Sequence, residues 1–280
     1  MEMNYQEIDR IITAALAEDI GKGDITAQLL IEEGLKAQLA FITREPMVMC
    51  GGFIVPLVFA KLHAGIQVKI DSNEGEAVAA GTVLIEVSGQ ARSIMSGERV
   101  ALNLLQRMAS VATLTARYVE AVKGTKAIIL DTRKTMPGLR ELDKYAVRAG
   151  GAANHRMRLD DAILIKDNHI ALCGSVKAAL ERARLGNRDN LMIEVECDTL
   201  AQVEEALQAG AQRIMLDNMS LENMRAAVGI AAGNAKLEAS GNVNLDTVRA
   251  IAKTGVDYIS IGKLTHSVVN VDIGLDSVTG

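Results

Sequence analysis

The 280-residue sequence predicts an α/β protein: a mixed α+β unit of about a hundred residues, followed by a parallel β/α unit. Three observations carry that expectation. Six short apolar segments recur after residue 126, at 127–131, 163–166, 191–196, 213–217, 236–240 and 257–262. Helix-like stretches of about a dozen residues separate the later ones. In 204–217 and in 248–262, a Gly stands where a helix C-cap belongs, directly ahead of a buried-strand pattern. Alternation of this kind implies a parallel sheet, and right-handed crossovers can close such a sheet into a barrel. Six clear strands fall short of the usual eight. Pattern alone therefore allows an incomplete barrel, a barrel with unrecognised strands, or an open doubly wound sheet.

Taken in order, residues 5–18 predict an amphipathic helix with Ile8, Ile11, Ile12, Ala15 and Leu16 on one side. Strands are expected at 37–43, 47–50, 67–71 and 82–87, punctuated by Gly and Asn, with a helix over 53–62. A long helix is expected over 94–122 and would carry Arg99.

Composition narrows the function classes. Hydrophobic residues make up 49% and aromatics 2%, with no Trp and twelve Met, so the core has to be aliphatic. A formal net charge of −5 and so few stacking residues argue against nucleic acid. No apolar run has the length of a membrane span, and the N-terminus carries acids where a signal peptide carries Lys or Arg, so a cytoplasmic protein is expected. Cys50, Cys173 and Cys197 are odd in number and lack metal-ligand spacing, as free thiols in a reducing compartment would be.

One stretch departs from the acidic background. Residues 131–170 hold eight Lys or Arg and two His against six acids. A local cationic excess on an acidic protein points to a pocket for a small, highly charged anion. In a β/α barrel the active site lies at the carboxyl ends of the strands, and here every strand tip is polar. Thr132, Arg133 and Lys134 follow the first strand and Lys166 ends the second. Glu194 and Glu196, then Asp217, then Glu238 and Ser240, and finally Gly262 and Lys263 end the others. Arg133, Lys134, Arg156 and Lys166, with His155, form a cationic set; Arg suits planar bidentate recognition of carboxylate or phosphate. Glu196 and Asp217 form an acidic set suited to Mg²⁺, directly or through its waters. Ser240, Gly241 and Asn242, and Ile261, Gly262 and Lys263, follow the last two strands, where barrels commonly hold phosphate. The expected substrates together carry a phosphate, a metal-bound polyphosphate and a carboxylate.

The motifs resemble those of the quinolinate phosphoribosyltransferases along nearly the whole chain. They run from EDIGKGDIT (18–26) and ER (98–99) through DTRKT (131–135), NHR (154–156) and IKDNH (165–169) to EVE (194–196), LDN (216–218), EASG (238–241) and LTH (264–266). The resemblance implies conversion of quinolinate and phosphoribosyl pyrophosphate into nicotinate mononucleotide, pyrophosphate and CO₂, with Mg²⁺ as cofactor. It also implies an N-terminal α/β sandwich over 1–109, an incomplete β/α barrel over 110–266, and residues 267–280 returning to the first domain. A homodimer is implied, with Arg99 reaching the neighbouring subunit's site. By position, Thr132, Arg133, His155, Arg156 and Lys166 would meet quinolinate. Lys134, Glu196 and Asp217 would face the ribose, pyrophosphate and metal. Ser240–Asn242 and Ile261–Lys263 would hold the 5′-phosphate. Ala152-Ala153 stand where the family often has a further Gly, and Lys263 where a small residue is common.

Two other readings compete. A molybdenum-transport-associated paralogue of the same fold tends to lack the Asn of NHR and the Lys of IKDNH; Asn154 and Lys166 are both present. A Schiff-base lyase could use Lys166 at a strand end, given a lysine crowded by Arg133 and Arg156. That reading leaves the acidic and phosphate sets unexplained. The adjacent acids Asp160-Asp161 precede a strand-like AILIK rather than the glycine loop of the more common phosphoribosyltransferase fold.

Overall fold

A computed structural model describes residues 3–277. In chain order the elements begin with helices α1 (Tyr5–Ile20) and α2 (Ile25–Leu30), strands β1 (Lys36–Thr43) and β2 (Met47–Val48), and helix α3 (Ile54–Ala60). Strands β3 (Gln67–Ile70), β4 (Ala77–Val78) and β5 (Val83–Gln90) lead into the long helix α4 (Ala91–Ala121). Then come β6 (Ile128–Leu130), α5 (Arg140–Ala149), β7 (Ile163–Ile165), α6 (Asp167–Cys173), α7 (Val176–Gly186) and β8 (Ile193–Cys197). The remainder alternates: α8 (Leu200–Gln208), β9 (Arg213–Asp217), α9 (Leu221–Ala231), β10 (Lys236–Ser240), α10 (Val248–Ala252), β11 (Tyr258–Ser260), α11 (Lys263–His266) and β12 (Ile273–Ser277).

Two compact units result. Among the described residues, the first comprises 3–116, 135–151 and 267–277, and the second 117–134 and 152–266. The sequence puts one boundary near 109. By contact, the first unit also takes 110–116 and the 135–151 excursion, because Arg107 of α4 holds Asp143 of α5 through two 2.9 Å bonds. Lys144 is buried in that same helix.

The first unit is built on an antiparallel sheet in the order β12-β1-β5-β3, where Ile273 of β12 pairs with Thr43 of β1. Helix α1 starts at Asn4, whose side chain caps the Glu7 N–H, and buries Ile8, Ile11, Ile12 and Leu16 at helical spacing. Its core is aliphatic, with Phe41 and Phe59 a buried ring pair (centroids 6.4 Å apart).

The second unit is a six-stranded parallel sheet, order β6-β11-β10-β9-β8-β7. Among the described residues no pairing joins β7 to β6, so the barrel is incomplete. Ala153 forms a one-residue parallel bridge to Leu130 on the free edge of β6, where a further strand would pair. Residues 154–162 then cross from that edge to β7. Side-chain caps open the helices that follow β8 and β9: Thr199 in a capping box with Gln202 for α8, and Ser220 for α9. These stops turn β8 and β9 abruptly into helices and leave the strand ends at the rim.

Candidate active site

Because side chains along a strand alternate in direction, residues two apart share a face. Lys166, Glu196, Asp217 and Ser240 therefore stand directly above Leu164, Glu194, Met215 and Glu238. The upper four line a cleft of about 490 Å³ on the second unit, together with Thr132, Arg133, Lys134, His155 and Arg156. Gly241 and Asn242 complete its wall. The structure thus brings eleven of the fifteen expected site residues into one cavity. Ile261 is buried, donating its N–H to the Leu130 carbonyl, and Lys263 is exposed on α11; neither lines the cleft. Gly262 lies beside it, close enough that a Cβ would meet the Lys134 side chain at 3.0 Å. Arg99 belongs to the first unit, exposed on α4, and its side chain makes no hydrogen bond or ion pair among the described residues.

Charge is sorted within the cleft. Burial, and then the nearby charge of Arg133, lower the Arg156 pKa, as two crowded guanidiniums would. Arg156 is aimed by a 3.0 Å bond from its guanidinium to the Ala162 carbonyl. Across the cleft, Lys166 Nζ lies 3.4 Å from Glu196 Oε2. Burial pushes the Glu196 carboxyl up, opposed by Lys166 and reinforced by the charge of Asp217. Two carboxylates close enough to repel, on adjacent strands and open to solvent, are a donor set that fits Mg²⁺ or its waters.

Glu194 and Glu238 correct the expected ring. Both are fully buried one layer down, because the pleat that lifts Glu196 and Ser240 into the cleft leaves their i−2 neighbours inside. Arg213 bridges them, with Nε 3.0 Å from Glu194 Oε1 and its other arm on Glu238, and stacks over the Tyr258 ring at 4.4 Å. His155 enters through the seam of the barrel and its Nε2 meets Glu194 Oε2 at 2.9 Å. The Arg156 N–H donates to His155 Nδ1 at 2.7 Å, so Nε2 carries the proton and both ring nitrogens are engaged by protein. Asp131, buried at the tip of β6, receives the His155 N–H at 2.8 Å and the Asn154 amide at 2.6 Å. Burial raises Glu194, but the His155 bond and the Arg213 charge outweigh it and hold it low. Burial and the Glu194 charge push Glu238 up. The ligand atoms of His155, Glu194 and Glu238 lie within 4.8 Å of one another, a metal-like grouping, yet Arg213 already occupies both carboxylates.

Matches to known proteins agree with this geometry. Residues 24–109 match the model of the quinolinate phosphoribosyl transferase N-terminal domain and 111–276 that of its C-terminal domain. The chain belongs to the quinolinate phosphoribosyltransferase family. It is 42% identical to a probable carboxylating nicotinate-nucleotide pyrophosphorylase of Bacillus subtilis, over 98% of this chain and 94% of that one. It is 43% identical to the carboxylating enzyme of Mycobacterium leprae, over 95% of each. The nicotinate-nucleotide pyrophosphorylase structure from Francisella tularensis superposes with a TM-score of 0.94 at 40% identity, covering 98% of this chain and 97% of that one. The open six-stranded sheet is thus this phosphoribosyltransferase family's fold, with its strand-end residues gathered at one cleft.

Four cleft residues had no role assigned to them from the sequence: Leu164, Met215, Ser260, and Asn218, which closes the LDN motif. The pleat could have found the first two, each standing two residues before an expected site residue. Arg213 escaped because it opens its strand rather than ending it. His169 ties a loop: its Nδ1 accepts the Lys166 N–H at 2.9 Å and closes the first turn of α6.

Proposed function

We propose that the protein transfers the phosphoribosyl group of phosphoribosyl pyrophosphate to quinolinate, with loss of CO₂, to form nicotinate mononucleotide in NAD biosynthesis. The observation that carries the reading is the sorting of the cleft. Paired guanidiniums, paired carboxylates and the Ser240–Asn242 turn line one cavity of about 490 Å³. Arg133 and Arg156 would grip the dicarboxylate, with Lys166 as a further point charge and Thr132 as a hydroxyl partner. His155, engaged at both nitrogens, would offer its ring rather than a hydrogen bond. Ser240, Gly241 and Asn242 would hold the 5′-phosphate, and Lys134 would face the pyrophosphate.

The pyridine nitrogen then attacks the anomeric carbon while the C–O bond to pyrophosphate breaks and its electron pair leaves with pyrophosphate. Glu196 and Asp217 stabilise the positive charge that develops on the ribose. Mg²⁺, held by those two carboxylates directly or through water, would reduce the charge on the leaving group. The C2–carboxylate bond breaks next. Its electron pair stays at C2 beside the quaternised nitrogen until a proton replaces it, so the protein has only to orient the ring.

A homodimer belongs to the same reading, with Arg99 of one subunit serving the other's cleft; its exposure without a bond supports that role. A cytoplasmic setting is supported by the three free cysteines. The Schiff-base alternative is disfavoured because Lys166 is half exposed with a carboxylate as its neighbour, not buried among cations. The paralogue reading is disfavoured by Asn154, which bonds Asp131, and by Lys166 in the cleft.

Purified protein given Mg²⁺, phosphoribosyl pyrophosphate and quinolinate should form nicotinate mononucleotide and release CO₂, and nicotinate should not replace quinolinate. Turnover of nicotinate without quinolinate turnover would overturn the reading. Mixing the inactive variants Arg99→Ala and Lys166→Ala should restore part of the activity after subunit exchange. Confirmed heterodimers without rescue would remove Arg99 from the site.

A further inference from the structure

Asn218 joins the two ends of the cleft. It follows Asp217 at the tip of β9, with a left-handed backbone (φ +52°) that Asn tolerates better than most residues. Its backbone N–H donates to the Ser240 carbonyl at 2.9 Å. Its side-chain Nδ2 donates to Asp217 Oδ2 at 2.8 Å, and its Oδ1 accepts from Asn242 Nδ2 at 3.1 Å. The amide has only one sensible orientation. Asp217 as a carboxylate can only accept, so Nδ2 must face it and Oδ1 is left for Asn242. Gly241 fits around this bridge. At its φ of +97°, a Cβ would stand 2.2 Å from Asn218 Oδ1, 2.5 Å from Cγ and 2.9 Å from Nδ2. The turn after β10 is therefore shaped against the Asn218 side chain, and the same side chain orients the carboxylate at the end of β9.

We propose that Asn218 is a positioning residue that holds Asp217 and the Ser240–Asn242 turn at a fixed separation. A ligand with a phosphate at one end and a pyrophosphate-bearing anomeric carbon at the other is then gripped at both ends at once. The inference rests on the proposed reading that Asp217 serves the pyrophosphate and ribose end and the turn serves the 5′-phosphate.

The test compares wild type with Asn218→Gly, which keeps the left-handed backbone and removes both side-chain bonds, and Asn218→Asp, which keeps only the acceptor for Asn242. Calorimetry measures Kd for phosphoribosyl pyrophosphate with Mg²⁺, for ribose 5-phosphate without it, and for quinolinate alone. In Asn218→Gly the two-ended ligand should weaken at least tenfold, with ribose 5-phosphate and quinolinate within threefold of wild type. The KM for phosphoribosyl pyrophosphate should rise in step while that for quinolinate holds. Asn218→Asp should weaken phosphoribosyl pyrophosphate at least as much, because a second negative charge faces Asp217. Wild-type Kd values for the two-ended ligand in both variants would overturn the proposal, and so would equal losses for all three ligands together with a lower melting temperature. Failure of the underlying reading has a separate signature: wild type itself would not bind phosphoribosyl pyrophosphate.

Discussion

The strand-end layer and the layer beneath it are made of the same residue types and differ in what satisfies them. Above, half-buried in a cavity of about 490 Å³, the Glu196 carboxylate meets Lys166 at 3.4 Å and the Asp217 carboxylate accepts from Asn218 at 2.8 Å. Below, Glu194 and Glu238 are fully buried and share Arg213 and His155. Only two residues along each strand separate the layers. The lower ions have their partners inside the protein and the upper ions are open to ligands. Buried charge left without a partner is costly, so the lower layer has to be closed. The upper layer stays charged because solvent or substrate can complete it.

That contrast breaks first at the top. Asp217→Ala should cost about a thousandfold in kcat/KM, as removal of a charge-stabilising group does, with little change in melting temperature. Initial rates and a thermal melt on one preparation check both halves; a melting temperature that falls with activity would merge the layers. The reverse is expected below. Glu194→Gln leaves Arg213 short of one charged partner in a buried site and should destabilise the fold by about 3 kcal/mol, read by urea unfolding. Stability equal to wild type would mean that the lower cluster is not the anchor described.

An intermediate effect is expected where the cleft wall is shaped by packing. Gly241→Ala forces a side chain into a left-handed position against Asn218 and should cost about 1 to 2 kcal/mol of stability. Adding Asn218→Gly opens the space and should recover part of that loss, which a double-mutant cycle would read as coupling. Strict additivity would separate the two positions.

The smallest effect sharpens the lower layer. Glu238, pushed up to about 7 by burial and by the charge of Glu194, holds its proton more tightly folded than unfolded. Its favourable contribution is present below the ordinary carboxylate range and is lost as pH rises through about 7. Glu238→Gln, which resembles the protonated form, should leave stability at pH 7 within about 1 kcal/mol of wild type and flatten its fall between pH 5 and 8. An unchanged slope would assign that proton elsewhere.

Much of this layering was legible in the sequence, and what was missed has physical causes. The six apolar segments and their Gly-terminated helices marked the parallel sheet, and the polar tips marked the rim. The seam was not legible: one bridging residue, Ala153, has no periodicity to detect. Nor was the excursion of 135–151 into the first unit, which depends on Arg107 meeting Asp143 across 36 positions of sequence. Glu194 and Glu196 look equivalent in the string EVE, and the sequence alone does not say how deep a strand sits. Arg213, which decides that Glu194 is structural, lies 19 residues away on the next strand.

A crystal structure with quinolinate bound would show whether the upper layer grips the substrate while the lower layer stays closed. Its carboxylate oxygens should lie within hydrogen-bonding distance of the Arg133 and Arg156 guanidiniums, with Arg213 still bridging Glu194 and Glu238 beneath. Quinolinate seated away from that pair, or a ligand that pulls Arg213 out of the lower layer, would contradict it.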